Sequence, residues 1–95
     1  MSYGLNVSYW MKPGKRERFL ELVRQCGLPG AVRGEEGCLG YEYFLSADHP
    51  DLLLLVERWT GRDAQEAHTR QPHMAPLAAI KEECLDHSEI ERYEL

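Results

Sequence analysis

Several things that would announce a large or charged partner are missing from this chain. Its 95 residues contain no basic cluster and no strip where aromatic and basic side chains interleave, and the formal net charge is −5. A nucleic-acid backbone, which is bound by releasing counterions to lysine and arginine, is not an expected partner. Long hydrophobic runs are absent too. The longest, Leu52 to Val56, falls far short of the roughly 20 apolar residues of a membrane-spanning helix. The opening MSYGLNVSYWMK lacks the basic start and apolar stretch of an export signal. Cysteine is scarce: Cys26, Cys38 and Cys84 are an odd count with no Cys-x-x-Cys pair. That pattern predicts reduced, buried thiols in a cytoplasmic protein. No Gly-x-Gly-x-x-Gly follows a strand pattern and no ligand spacing fits zinc, so neither a flavin nor a stoichiometric metal is expected. Repeats, linkers and low-complexity segments are missing as well.

What is present is an ordinary globular composition, with 43% hydrophobic and 28% charged residues. A chain of this length supplies one core, so residues 1–95 are read as a single domain. YGLNVSYWM alternates as a strand, with Tyr3, Leu5, Val7, Tyr9 and Met11 on one face and Asn6, Ser8 and Trp10 on the other. KRERFLELVRQC follows as a helix whose buried stripe is Phe19, Leu22, Val23 and Cys26. Gly27 and Pro29 stop it, and Leu28, Ala31 and Val32 suggest one further turn. A second strand runs from Cys38 to Ser46, ADHPD turns the chain, and LLLLVERW returns antiparallel as a third strand. Asp63 is placed to cap a short helix reaching about Arg70. Pro72 starts another helix, with Met74, Leu77, Ile80 and Cys84 along one side and Pro76 in its first turn. HSEIERYEL alternates as the last strand.

The order β-α-β-β-α-β is the split βαβ pattern of a ferredoxin-like α+β sandwich: an antiparallel four-stranded sheet with helices on one face. The third strand makes a further demand. Leu52 to Val56 is apolar on both faces, as a strand covered on both sides must be. The helices cover one face only, so the other predicts a partner sheet and a homodimer.

KPGKRERFLEL, EEGCLGYEYF, VERWTGRDAQEAH and PHMAPL, in this order and spacing, resemble the antibiotic biosynthesis monooxygenase (ABM) family, the quinol-monooxygenase-like proteins of the dimeric α+β barrel superfamily. The likeness runs over nearly the whole chain. It implies a homodimer with its two sheets face to face and a pocket between sheet and helices. Within the family, small cofactor-free enzymes oxygenate hydroquinones, anthrones and related polyphenols. Other members degrade haem, and others isomerise a small phosphorylated signalling molecule. Asn6 stands where an asparagine recurs on the first strand of the oxygenases. Trp59 matches the tryptophan closing the third strand, and His68 and His73 match the helix histidines. Where the haem-degrading branch carries a histidine ligand, this chain has Ala78 or a neighbour, so haem of that kind is not expected.

The stretch DAQEAHTRQPHMAP concentrates the candidate chemistry. His68 and His73 are five residues apart, about 140° round a helix, and so do not share a face as helical zinc ligands do. Histidine's ordinary pKa of about 6.5 suits it to take a phenolic proton near neutrality, and His68 is the candidate base. The plainer reading makes His68 a corner residue capping carbonyls, and His73 fits that reading better still. Asn6 interrupts a packable strand, and a buried amide without partners costs about 1–3 kcal/mol, so something must bond it: a substrate oxygen, a dioxygen intermediate or a backbone group. Trp59 offers a flat wall to an aromatic ring. Tyr9, Tyr41 and Tyr43 could line the same cavity or simply pack. Glu57, on the strand face of Trp59, is either a second acid–base group or an ion-pair partner across the dimer.

The function expected is a cofactor-independent monooxygenase, its partners a small quinol-like aromatic and molecular oxygen. Asn6 would hold developing negative charge, His68 would take the proton and Trp59 would wall the ring. Two alternatives stay open: a cofactor-free isomerase of a small carbonyl metabolite, and a non-catalytic dimeric metabolite-binding domain.

Overall fold

Alternation in the first strand, β1 (Tyr3–Met11), decides which side of the sheet becomes the core. In the computed structural model, which describes residues 2–95, Tyr3, Leu5, Val7, Tyr9 and Met11 are all buried, while Asn6, Ser8 and Trp10 are only half-buried. The chain continues through α1 (Arg16–Gln25), α2 (Leu28–Arg33), β2 (Cys38–Leu45), β3 (Leu52–Trp59), α3 (Arg62–His68), a 3-10 turn (Pro72–Met74), α4 (Ala75–Cys84) and β4 (Leu85–Glu94). The strands lie in the order β2-β3-β1-β4, and every neighbouring pair is antiparallel. This is the ferredoxin-like α+β arrangement that the element order predicts.

The core sits between the odd-numbered strand residues and the helices. Phe19 and Val23 of α1, Leu28 and Val32 of α2, and Leu77 and Ile80 of α4 pack over the buried side chains of β1 and over Leu53 and Leu55 of β3. Each such side chain contributes about 1.5–3 kcal/mol when fully buried. On the opposite face Leu52, Leu54 and Val56 are half-buried and Phe44 of β2 is 46% exposed, with no helix above them. The two-sided apolar character of LLLLV thus corresponds to one covered and one open side.

Several boundaries differ from the sequence reading, each for a local reason. Gly27 adopts φ +72°, so α1 breaks cleanly and Leu28–Arg33 forms a separate helix. The buried side of α1 is Phe19, Leu20 and Val23, and Cys26, expected inside, is exposed at its C-terminal end. Gly61, not Asp63, occupies the N-cap of α3, and Asp63 lies in the first turn, where its charge suits the helix dipole. Pro72 opens a 3-10 turn before α4 begins at Ala75. α4 passes directly into β4, which begins at Leu85, two residues before its expected start.

Candidate active site

The strand register sets out a row of four side chains on the helix-facing side: Tyr41 opposite Glu57, Glu57 opposite Leu5, and Leu5 opposite Arg92. Glu57 is therefore a carboxyl group in the middle of an otherwise packed sheet face, with only 6% of its surface exposed. Its Oε1 accepts a hydrogen bond from Trp59 Nε1 at 3.1 Å. That bond is local, because residues two apart on a strand share a face. Burial raises the Glu57 pKa above the ordinary carboxyl value, against the opposing pull of the Trp59 bond and of the His68 and Lys81 charges.

His68, the last residue of α3, is 4% exposed and packs on the Trp59 ring with centroids 4.8 Å apart. Its Nδ1 lies 2.9 Å from Glu35 Oε2, and its Nε2 lies 4.0 Å from Glu57 Oε1. His73 Nε2 reaches the same Glu35 oxygen at 2.7 Å. A carboxylate only accepts, so the ring nitrogen facing it carries the proton in each histidine. The consequence for His68 is specific: with Nδ1 protonated toward Glu35, a neutral ring presents the Nε2 lone pair on its other side. Where a metal would have to sit between the two histidines, a carboxylate oxygen sits instead. Among the described residues no three histidine, cysteine or acidic side chains form a metal-holding group.

Glu35 is held from several directions. Its N–H bonds to Val32 O at 3.0 Å, its carbonyl accepts from Cys38 N at 3.2 Å, and Gly37 O two residues on accepts from Thr60 N at 2.8 Å. The side chain is 7% exposed. In the sequence Glu35 is one of two adjacent acids that open EEGCLGYEYF. The only signal for it was an acid in a short loop before a strand.

A cavity of about 180 Å³ opens between this row, α3 and α4. His68, Glu57, Tyr9 and Tyr41 line it. Burial drives both tyrosine hydroxyls well above the usual phenol range, which keeps them neutral. Three other candidates stand just outside. Trp59 is wholly buried behind His68 and Glu57, so it supports the cavity rather than walling it. His73 reaches the site only through Glu35. Tyr43 stacks edge-on against Tyr41 and Phe19, its pKa pushed up to about 12 by burial.

Asn6 does not join them. It faces the open side of the sheet, opposite Val56 and Glu91, and its Oδ1 accepts a hydrogen bond from the Tyr93 hydroxyl at 3.2 Å. Its β1 neighbours Leu5 and Val7 line the His68 cavity, and the pleat turns the residue between them to the opposite face. In this chain Asn6 is not a donor to the His68 cavity. Lys81 of α4 and Arg92 of β4, which the sequence reading passed over, do line it.

Residues 2–79 match the model of the antibiotic biosynthesis monooxygenase family. The chain belongs to this family. The probable quinol monooxygenase YgiN of Escherichia coli (strain K12) is 29% identical over 84 residues, covering 79% of this chain and 81% of that one. Among solved structures, a conserved protein from Methanosarcina mazei Go1 superimposes with a TM-score of 0.87 at 25% identity, over 99% of this chain and 92% of its own. A protein of unknown function from Bacteroides thetaiotaomicron VPI-5482, described as a possible oxidoreductase, does so with a TM-score of 0.84 at 26% identity, over 99% and 97%. This ABM chain shares its fold with both solved structures nearly end to end.

Proposed function

We propose that this ABM protein is a cofactor-independent monooxygenase of a small quinol-like aromatic, working as a cytoplasmic homodimer. The observation that carries this reading is the Glu35–His68 pair beside the cavity. Nδ1 is anchored by a buried carboxylate and Nε2 is left to accept a proton from a phenol. Family membership and the likeness to YgiN, a probable quinol monooxygenase, at 29% identity support the same chemistry.

The phenol loses its proton to His68 Nε2, and Glu35 stabilises the imidazolium that results. The electron-rich phenolate then gives one electron to dioxygen, and the two radicals combine at a ring carbon as a peroxide. Collapse of the peroxide leaves one oxygen atom on the carbon as a carbonyl and releases the other as water. All electrons come from the substrate, so no external reductant enters the balance. Neutral Tyr9 and Tyr41 and the apolar wall keep water from quenching the anion.

Oxygen uptake with a panel of hydroquinones tests the proposal. His68→Ala should lower kcat by roughly 10²- to 10⁴-fold, the usual loss on removing a general base. Full activity in that variant would make the histidine a corner residue. No uptake with any quinol would favour an isomerase or a binding domain.

A further inference from the structure

The protein is acidic overall, with 16 carboxylate side chains against 11 lysines and arginines, yet two cations line this one cavity. Lys81 comes from α4 and Arg92 from the edge strand β4, at the end of the row that also carries Glu57. Two cations elsewhere form ion pairs, Arg18 with Glu21 and Glu83 and Arg62 with Glu94. Among the described residues, Lys81 and Arg92 form no ion pair with any carboxylate. Lys81 instead rests its ammonium 5.4 Å from the centre of the Tyr9 ring, a contact that partly offsets lost hydration and leaves its donors unused. Burial lowers the Lys81 pKa, with Glu57 acting against the shift. A half-buried ammonium with unused donors stands in an environment that an incoming anion would improve.

The size and charge of the cavity narrow that anion. Its volume of about 180 Å³ lies below the roughly 300–1,000 Å³ of sites for drug-sized ligands. It is close to the roughly 150 Å³ that holds one benzene in an engineered cavity. One ring with small substituents fits, and a fused tricycle does not. Glu57 shares this lining with the two cations and offsets part of their charge, which suits a carboxylate better than a phosphate dianion.

We infer that the substrate is a single-ring phenol bearing a carboxylate, the carboxylate held by Lys81 and Arg92 while the hydroxyl meets His68 Nε2. This rests on the reading of His68 as the base, and it adds what that reading does not supply: a feature that selects one aromatic over another. Fixing the ring at its carboxylate orients the hydroxyl before any proton moves.

The test separates binding from turnover. Under anaerobic conditions, calorimetry measures the affinity of the wild-type protein for 2,5-dihydroxybenzoate and for its neutral analogue 2,5-dihydroxybenzamide, nearly equal in size and alike in ring chemistry. The acid should bind about tenfold more tightly or better, the scale of one charge-assisted contact. Lys81→Met should remove most of that preference and Arg92→Met a smaller part. Thermal melts establish that both variants fold, and the wild-type comparison stands without either. Equal affinities, a preference for the amide, or no binding of either compound would overturn the inference. So would a preference that survives both substitutions. Oxygen uptake is measured separately with neutral hydroquinones. Uptake without acid preference leaves the monooxygenase standing and removes the anion subsite, whereas acid preference without uptake does the reverse.

Discussion

Two histidines converge on one oxygen of Glu35, and the roles of the three residues differ by what each one faces. His68 faces the cavity. His73, with 29% of its side chain exposed, only helps to hold Glu35. Glu35→Ala should therefore lower kcat while leaving KM near its wild-type value, because it frees the His68 ring to turn without removing a substrate contact. His73→Ala should cost less. Steady-state oxygen uptake on the three alanine variants ranks them, and a His73 effect equal to that of His68 would contradict the assignment. Glu57 yields a stability prediction with a definite sign. Burial raises its folded-state pKa above the ordinary 4.5, so its favourable contribution is complete below that ordinary value and is lost as pH rises through the folded one. Glu57→Gln keeps an acceptor for Trp59 Nε1 and removes the desolvated charge. It should raise the melting temperature more at pH 8 than at pH 5, by about 4–8 °C per kcal/mol relieved in a domain of this size. An equal change at both pH values would show that Glu57 carries no such penalty. His68 and Glu57 stood out in the sequence as candidates, since a histidine and a carboxylate inside apolar segments need an explanation. Glu35 was not, because its partners lie 33 and 38 residues away and no local period links them.

The elements that carry the site are joined by one tight contact. The loop from Gly34 to Gly37 leads from α2 into β2, and Gly37 has φ +84°. A Cβ there would stand 2.6 Å from the Ala64 Cβ of α3 and 2.8 Å from Thr60 Oγ1. Gly37→Ala thus meets two penalties, a left-handed backbone costing about 1–2 kcal/mol and a collision with α3. Relief requires the loop to withdraw from α3, which carries Glu35 away from His68. The variant should melt several degrees lower and lose turnover by more than its loss of folded protein explains. Circular dichroism melts together with activity per folded molecule decide this; a drop in stability alone would mean that the loop does not set the Glu35 geometry. At this scale the sequence was readable where alternation ran long, as in β1, and where turn residues bounded an apolar run, as in β3. It misplaced the cap of α3 because Asp63 is a good capping residue by type, whereas Gly61 takes the extended conformation that the turn after Trp59 requires. Asn6 was misassigned to the cavity because its chemistry was weighed without its parity: the alternation that buries Leu5 and Val7 turns Asn6 toward the open face.

For the whole molecule, that open face is the outstanding demand. Leu52, Leu54 and Val56 of β3, Trp10 of β1 and Phe44 of β2 form an apolar surface on the side of the sheet away from the helices. Leu54 lies at its centre, opposite Ser8 on one side and Phe44 on the other. Monomeric proteins rarely leave a contiguous apolar patch of this kind in water. A second sheet packed face to face would cover it, and Glu42, Glu89 and Glu91, which the register places on the same face, would then fall toward the polar rim. An interface replacing half of a sandwich core belongs among the larger, more apolar ones, of roughly 2,000 Å² or more. Light scattering on dilute protein should therefore return about twice the chain mass of 11.0 kDa. Leu54→Glu should break the dimer, since a buried carboxylate at the centre of the interface has no cation to meet and the desolvation cost of an unpaired charge is several kcal/mol. Leu39→Glu, on a residue 59% exposed that flanks the register shift at the start of β2, serves as the control and should leave the mass unchanged. The cavity beside His68 lies on the other side of the sheet, so dissociation should act on turnover through loss of the fold rather than of a catalytic group. A wild-type protein that stays folded and monomeric at micromolar concentration would remove the dimer and leave the apolar face to another partner.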